Sequence, residues 1–96
     1  MIKIEELTLE NKKIYGVVAD LPKAPLVALI APKGYIMCGY LNLGTAEGLG
    51  QVAAIVTGVR NIEDMLNKKI SASTSQAKVL GINEGMPVKE AIKKLI

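Results

Sequence analysis

The side chains able to do chemistry in this 96-residue chain are few: one cysteine, Cys38, three tyrosines, dispersed lysines and carboxylates, and no histidine. Without histidine the commonest general base is missing. Neither a Ser-His-Asp triad nor a Cys-His dyad can form, within one chain or between identical ones. One cysteine and no histidine also leave no ligand set for a structural zinc in a single subunit, so no metal is expected, and the sequence names no cofactor. Glu47, Glu63, Asp64 and Glu84 read as solvated carboxylates of helix ends and loops, and no pair of them has the spacing that acid–base work needs.

Attention therefore falls on the segment from Tyr35 to Thr45. Cys38 sits in the apolar stretch Tyr35-Ile36-Met37-Cys38-Gly39-Tyr40, where three readings stay open. It is a small buried hydrophobe with an inert thiol, a reactive thiol activated by Lys33 or by the helix start near Thr45, or part of a ligand wall. Gly39 beside it would let a ligand or another backbone approach closely. Asn42, Gly44 and Thr45 follow at the strand's end, where ligand contact and helix capping call for the same residues. Tyr35, Cys38, Gly39, Asn42, Gly44 and Thr45 form the candidate ligand-lining set. Gly48-Leu49-Gly50-Gln51-Val52-Ala53 fits G-x-G-x-x-A. As a dinucleotide signature it lacks the preceding first strand and the later acidic residue, and close helix packing explains it better.

The elements that must position these residues divide into two halves. Ile2 and Ile4 alternate with polar neighbours, Leu7 and Leu9 do so on the opposite phase, and the change at Glu5-Glu6 predicts a bulge or register shift. Asn11-Lys12-Lys13 supplies a turn to a second strand, Ile14 to Leu21, giving a hairpin. Leu26 to Ala31 and Tyr35 to Leu41 read as two continuously apolar strands around Pro32-Lys33-Gly34, a type I turn closing through a left-handed glycine, with both faces covered. Thr45 to about Val59 then carries a 3.6-period stripe, Leu49, Val52, Ala53 and Val56, predicting a helix. Asn61 predicts the N-cap of a short helix with Glu63 and Asp64 in its first turn. Lys69 to Ser73 is a short strand, Ser73 with Gln76 is a capping box for a helix that Gly81 closes, and Pro87 opens the last helix. The result is one domain over residues 1–96 of α+β class: a β-rich N-terminal half, with helices packed on one side of a mixed sheet.

Composition bounds the partners. Half of the residues are apolar, more than a core of this size readily hides, and a subunit interface is the natural home for the surplus. The net charge of +3 comes with dispersed Lys pairs, a single arginine, Arg60, and no aromatic beside them, which argues against nucleic acid. The longest apolar run is broken by Pro32-Lys33-Gly34, and glutamates interrupt the N-terminal one. No membrane span and no signal peptide are therefore expected, and the reading is a soluble cytoplasmic protein without disulfides.

Three stretches resemble one family: Gly34 to Asn42 (GYIMCGYLN), Gln51 to Leu66 (QVAAIVTGVRNIEDML) and Ala77 to Ile92 (AKVLGINEGMPVKEAI). In order and spacing they are similar to the YunC-like domain-of-unknown-function family of bacteria and archaea. The resemblance implies a small α+β domain whose N-terminal strands mediate tetramerisation, and it carries no catalytic residue across.

Together these readings give a homotetramer assembled through Ile2, Ile4, Leu7, Leu9, Ile14 and Val17. The leading function is a module that binds a small molecule or a protein partner near Tyr35 to Thr45. A small enzyme using Cys38 as its reactive thiol and a purely structural assembly subunit are the alternatives.

Overall fold

The polar–apolar alternation of the first twenty residues makes two eight-residue strands, β1 (Ile2–Leu9) and β2 (Lys12–Ala19). Glu10 and Asn11 join them at φ of 50° and 66°. Positive φ at both central positions is the two-residue hairpin turn whose twist suits the flanking strands, so the turn lies one residue earlier than Asn11 to Lys13. The computed structural model describes all 96 residues. It continues with β3 (Leu26–Ile30), β4 (Tyr35–Met37), α1 (Leu43–Gly48), β5 (Ala53–Ile55), α2 (Ile62–Leu66), β6 (Ala72–Ser73), α3 (Ser75–Val79) and α4 (Val88–Lys93). The six strands form one sheet in the order β1-β2-β3-β4-β5-β6, antiparallel throughout except for the parallel pair β4 and β5. This is the α+β class with a mixed sheet.

No bulge interrupts β1. Its pairing with β2 runs unbroken from Ile2 opposite Ala19 to Leu9 opposite Lys12. The phase change at Glu5-Glu6 has another cause: the strand serves two different faces. Leu7 and Leu9 point with Ile14, Val27, Leu29 and Ile36 into the main core. Ile2 and Ile4 point the other way.

That main core lies between the sheet and α2, α3 and α4. Ile62 and Met65 of α2, Ala77 of α3, and Val88, Ala91 and Ile92 of α4 complete it, with Ile70, Ile82 and Leu95 from the connections. Gly16 of β2 is buried because Ile62 lies on it; a Cβ there would meet Ile62 Cδ1 at 2.7 Å. The chain end is tied down where the Lys33 N–H donates to the Leu95 carbonyl at 2.7 Å.

The second half departs from the reading at one element. Residues Thr45 to Val59 are not one helix: α1 ends at Gly48, Gly50 turns the chain at φ 70°, and Ala53–Ile55 is a strand beside β4. Two glycines each weaken a helix by about 1 kcal/mol, while Val52, Ile55, Val56 and Thr57 are β-branched and suit a pleated surface. The apolar stripe fitted both periods, and a partner strand decided between them. Because β4 and β5 are parallel, a crossover must join them. It carries α1 over the opposite face, where Ala46 packs on Met37 and Ala53 in a second, small core with Tyr35, Leu41, Leu43 and Ile55 around it. Helices thus cover most of one face and the β4–β5 end of the other.

Two local details are also corrected. Gly34 does not adopt positive φ; it is required because a Cβ there would collide with the Val52 carbonyl of the neighbouring segment. The N-cap of α3 is Thr74 rather than Ser73. Elsewhere Asn61 caps α2, Gly81 turns the chain after α3 at φ 88°, and Pro87 precedes α4, as their residue types require. No helix is long and apolar enough to cross a membrane.

Candidate functional site

The residues from Tyr35 to Thr45 do not converge. Strand alternation sends Tyr35 and Met37 to one face of the sheet and Ile36 and Cys38 to the other. Tyr35, half-buried, donates its hydroxyl to Gln51 Oε1 and so ties β4 to the crossover. Cys38 is 4 % exposed. Its sulfur accepts the Val27 N–H at 3.3 Å, a structural use of a small polarisable side chain. The shallow hollow beside it is lined by Ala24, Pro25, Gly39, Tyr40, Gly58 and Val59, with no lysine among them. Lys33 sits at the far end of β4.

Asn42 and Thr45 meet each other rather than a cavity. Asn42 caps α1, its Oδ1 accepting the Thr45 N–H at 3.0 Å. Gly44 lies tight against that cap, since a Cβ there would be 3.1 Å from Asn42 Oδ1. Gly39 is open to solvent. No group of three or more Cys, Asp or Glu side chains is placed to hold a metal ion.

Two polar groups passed over in the sequence hold this end together. Thr74, 1 % exposed, accepts the N–H groups of Ala53 at 3.1 Å and Ala77 at 3.2 Å, and donates its hydroxyl to the Gln51 carbonyl at 2.8 Å. One side chain thereby caps α3 and holds the start of β5. Glu47, read as merely solvated, accepts from the Ser75 hydroxyl at 2.7 Å and the Ser75 N–H at 3.0 Å, joining α1 to the start of α3. The Ser75 hydroxyl, then its backbone N–H, and the nearby charge of Lys78 hold the Glu47 carboxyl below its ordinary range. Neither link has a local sequence signature, because each spans more than twenty residues.

An exposed apolar surface lies on the other half of the same sheet. Beyond the cover of α1 lie three strand rows, Ile2–Ala19–Leu26, Ile4–Val17–Ala28 and Tyr15–Ile30, which are closed at their inner ends, where Ala28 is buried and Leu26 packs against the main core, and open towards β1. Ile2 is 73 % exposed and Ile4 is 68 % exposed. Tyr15 and Ile30 are exposed too, with Val17 and Ala19 half-buried between them. The charged pair Glu6 and Lys13, 3.8 Å apart, closes the patch towards the hairpin turn. Of the six residues predicted for assembly, Ile2, Ile4 and Val17 lie here. Leu7, Leu9 and Ile14 belong to the helix-covered face, where Ile14 is buried in the chain's own core. Tyr15 and Ile30 were missed, although they share the alternation phase of Val17 and Ala28.

Comparison with known proteins agrees with this architecture. The family described as domain of unknown function DUF1805 matches residues 37–95. An uncharacterised protein, YunC of Bacillus subtilis strain 168, is 32 % identical over 100 aligned residues, which span 100 % of this chain and 99 % of that one. A crystal structure of a protein of unknown function from Thermoplasma acidophilum superposes with a TM-score of 0.96 at 36 % identity, covering 100 % of this chain and 94 % of that one. The chain belongs to the DUF1805 family.

Proposed function

We propose that this DUF1805 member is a homo-oligomeric binding module whose N-terminal hairpin is the assembly element. The observation that carries the reading is the open apolar face of β1, β2 and β3. A row of Ile, Val, Tyr and Ala on a sheet is the pattern of a half-buried surface, and here nothing within the chain buries Ile2, Ile4, Tyr15 and Ile30. The natural cover is the same face of a second copy, because identical patches related by a two-fold axis are self-complementary.

The hairpin offers a second contact besides its face. β1 is the terminal strand, paired only with β2, so the outward-pointing N–H and C=O groups of every second residue along its eight-residue length are free. Free edges pair with other strands unless they are guarded. A closed tetramer of dihedral symmetry needs two different two-fold interfaces, and one face plus one edge of the same hairpin supply two. This supports the tetramer over the dimer.

The reading of Tyr35 to Thr45 as the ligand site has weaker support, since its polar groups are engaged in capping and its residues point to both faces. The Cys38 enzyme reading is weaker again, because a nucleophilic thiol needs access and an electropositive neighbour. Native mass spectrometry tests the proposal. A species of four times the 10.2 kDa chain mass is expected. A monomer at micromolar concentration would overturn it, and extra bound mass on the tetramer would identify a ligand directly.

A further inference from the structure

On the helix-covered face, next to the β1–β2 turn, the strands extend past the helices that cover them. Leu7, Leu9 and Ile14 of the hairpin, Leu66 at the end of α2 and Ile92 of α4 enclose a groove of about 300 Å³ there. Thr8 is the one uncharged polar residue of its wall. Lys89 and Lys93, one helical turn apart on α4, stand at its rim, and no carboxylate lines it. Neither lysine is in an ion pair; the chain's ion pairs are Met1 with Asp20 and Lys13 with Glu6. Lys93 also lines a neighbouring hollow, together with Lys94, Glu10 and Glu90.

An apolar floor with two lysines outside any ion pair at its mouth selects for an apolar body ending in an anion. The volume is at the lower end of small-molecule sites, which start at roughly 300 Å³, so it admits a medium-length chain rather than a long one. The lining is also far short of the roughly 20 to 30 residues a side that a protein partner engages. We propose that this groove binds a medium-chain acyl carboxylate, with the chain against Leu7, Leu9 and Leu66 and the carboxylate between Lys89 and Lys93. The groove opens on the opposite face from Ile2 and Ile4. The inference goes beyond the assembly reading and stands or falls separately from it.

The test titrates the full-length protein with sodium decanoate, decanol and decylamine, following backbone and methyl resonances by NMR. Saturable decanoate shifts confined to Leu7, Leu9, Leu66, Ile92 and their neighbours are expected, with decylamine binding far more weakly. Both lysines are exposed, so the double variant Lys89→Gln, Lys93→Gln should fold normally. It should lose about tenfold in decanoate affinity and keep its decanol affinity within about twofold, since exposed ion pairs contribute modestly. Absence of saturable decanoate binding would overturn the proposal. So would equal binding of decylamine, an unchanged decanoate affinity in the double variant, or shifts centred on Ile2 and Ile4. Loss of assembly with decanoate binding intact would refute only the tetramer.

Discussion

The two faces of the sheet at β1 to β3 carry nearly the same residue types and meet opposite fates. On one, Ile14, Val27 and Leu29 are buried under α2 and α4. On the other, Ile2, Ile4, Tyr15 and Ile30 face outward, although their strands are the same and their pairing is continuous. Hydrophobicity therefore does not separate them; what covers them does. A sheet buries both faces when each has a layer to meet, and this chain has helices enough for most of one face and only the β4–β5 end of the other. The remaining area is the part of the molecule that calls for a partner.

Substitutions sharpen the contrast. Leu29→Ala, on the covered face, should cost about 2 to 5 kcal/mol of folding stability, measured by urea denaturation, because it opens a cavity in a fully buried site. Thr74→Val should follow at about 1 to 3 kcal/mol, since it leaves the Ala53 and Ala77 N–H groups without their acceptor in a buried place. Gly16→Ala should cost a similar 1 to 3 kcal/mol through the clash with Ile62. On the open face, Ile4→Lys should change the stability of the isolated chain by only about 0.5 kcal/mol. Equal losses at Leu29 and Ile4 in a monomeric sample would break the distinction between the faces.

The smallest effect belongs to Glu47. Its folded-state pKa is depressed by Ser75, so its contribution is present above the ordinary carboxylate value near 4.5 and is lost as pH falls through the lower folded value. Glu47→Gln should therefore lower thermal stability slightly at neutral pH, flatten the acid limb of the stability profile and converge with the wild type in acid. An identical acid limb in the variant would mean that the link to Ser75 contributes nothing.

Much of this architecture was legible in the residues, and what was hidden shares a cause. The hairpin, the capping by Asn61, the stop at Gly81 and the last helix each follow from neighbours in sequence. The parallel strand Ala53–Ile55 does not, because its partner β4 lies across a crossover and its short apolar run satisfies helix and strand periods alike. The phase switch at Glu5-Glu6 was visible as a pattern, but its meaning depended on knowing that two faces, not one, draw residues from β1. At the candidate site, Asn42 and Thr45 belonged together for the reason that makes them ambiguous in sequence: capping and ligand contact use the same atoms. The burial of Cys38 was one of its open readings, whereas the Glu47–Ser75 link joins residues 28 apart and left no trace.

The account rests on the open hairpin face being an interface between copies. Sedimentation equilibrium of the wild type beside the Ile2→Lys, Ile4→Lys double variant tests that most directly. The predicted result is a wild type at four times the 10.2 kDa chain mass and a folded variant that no longer reaches it, with circular dichroism unchanged. A wild type that stays at the chain mass at every concentration, or a double variant that assembles as the wild type does, would contradict it.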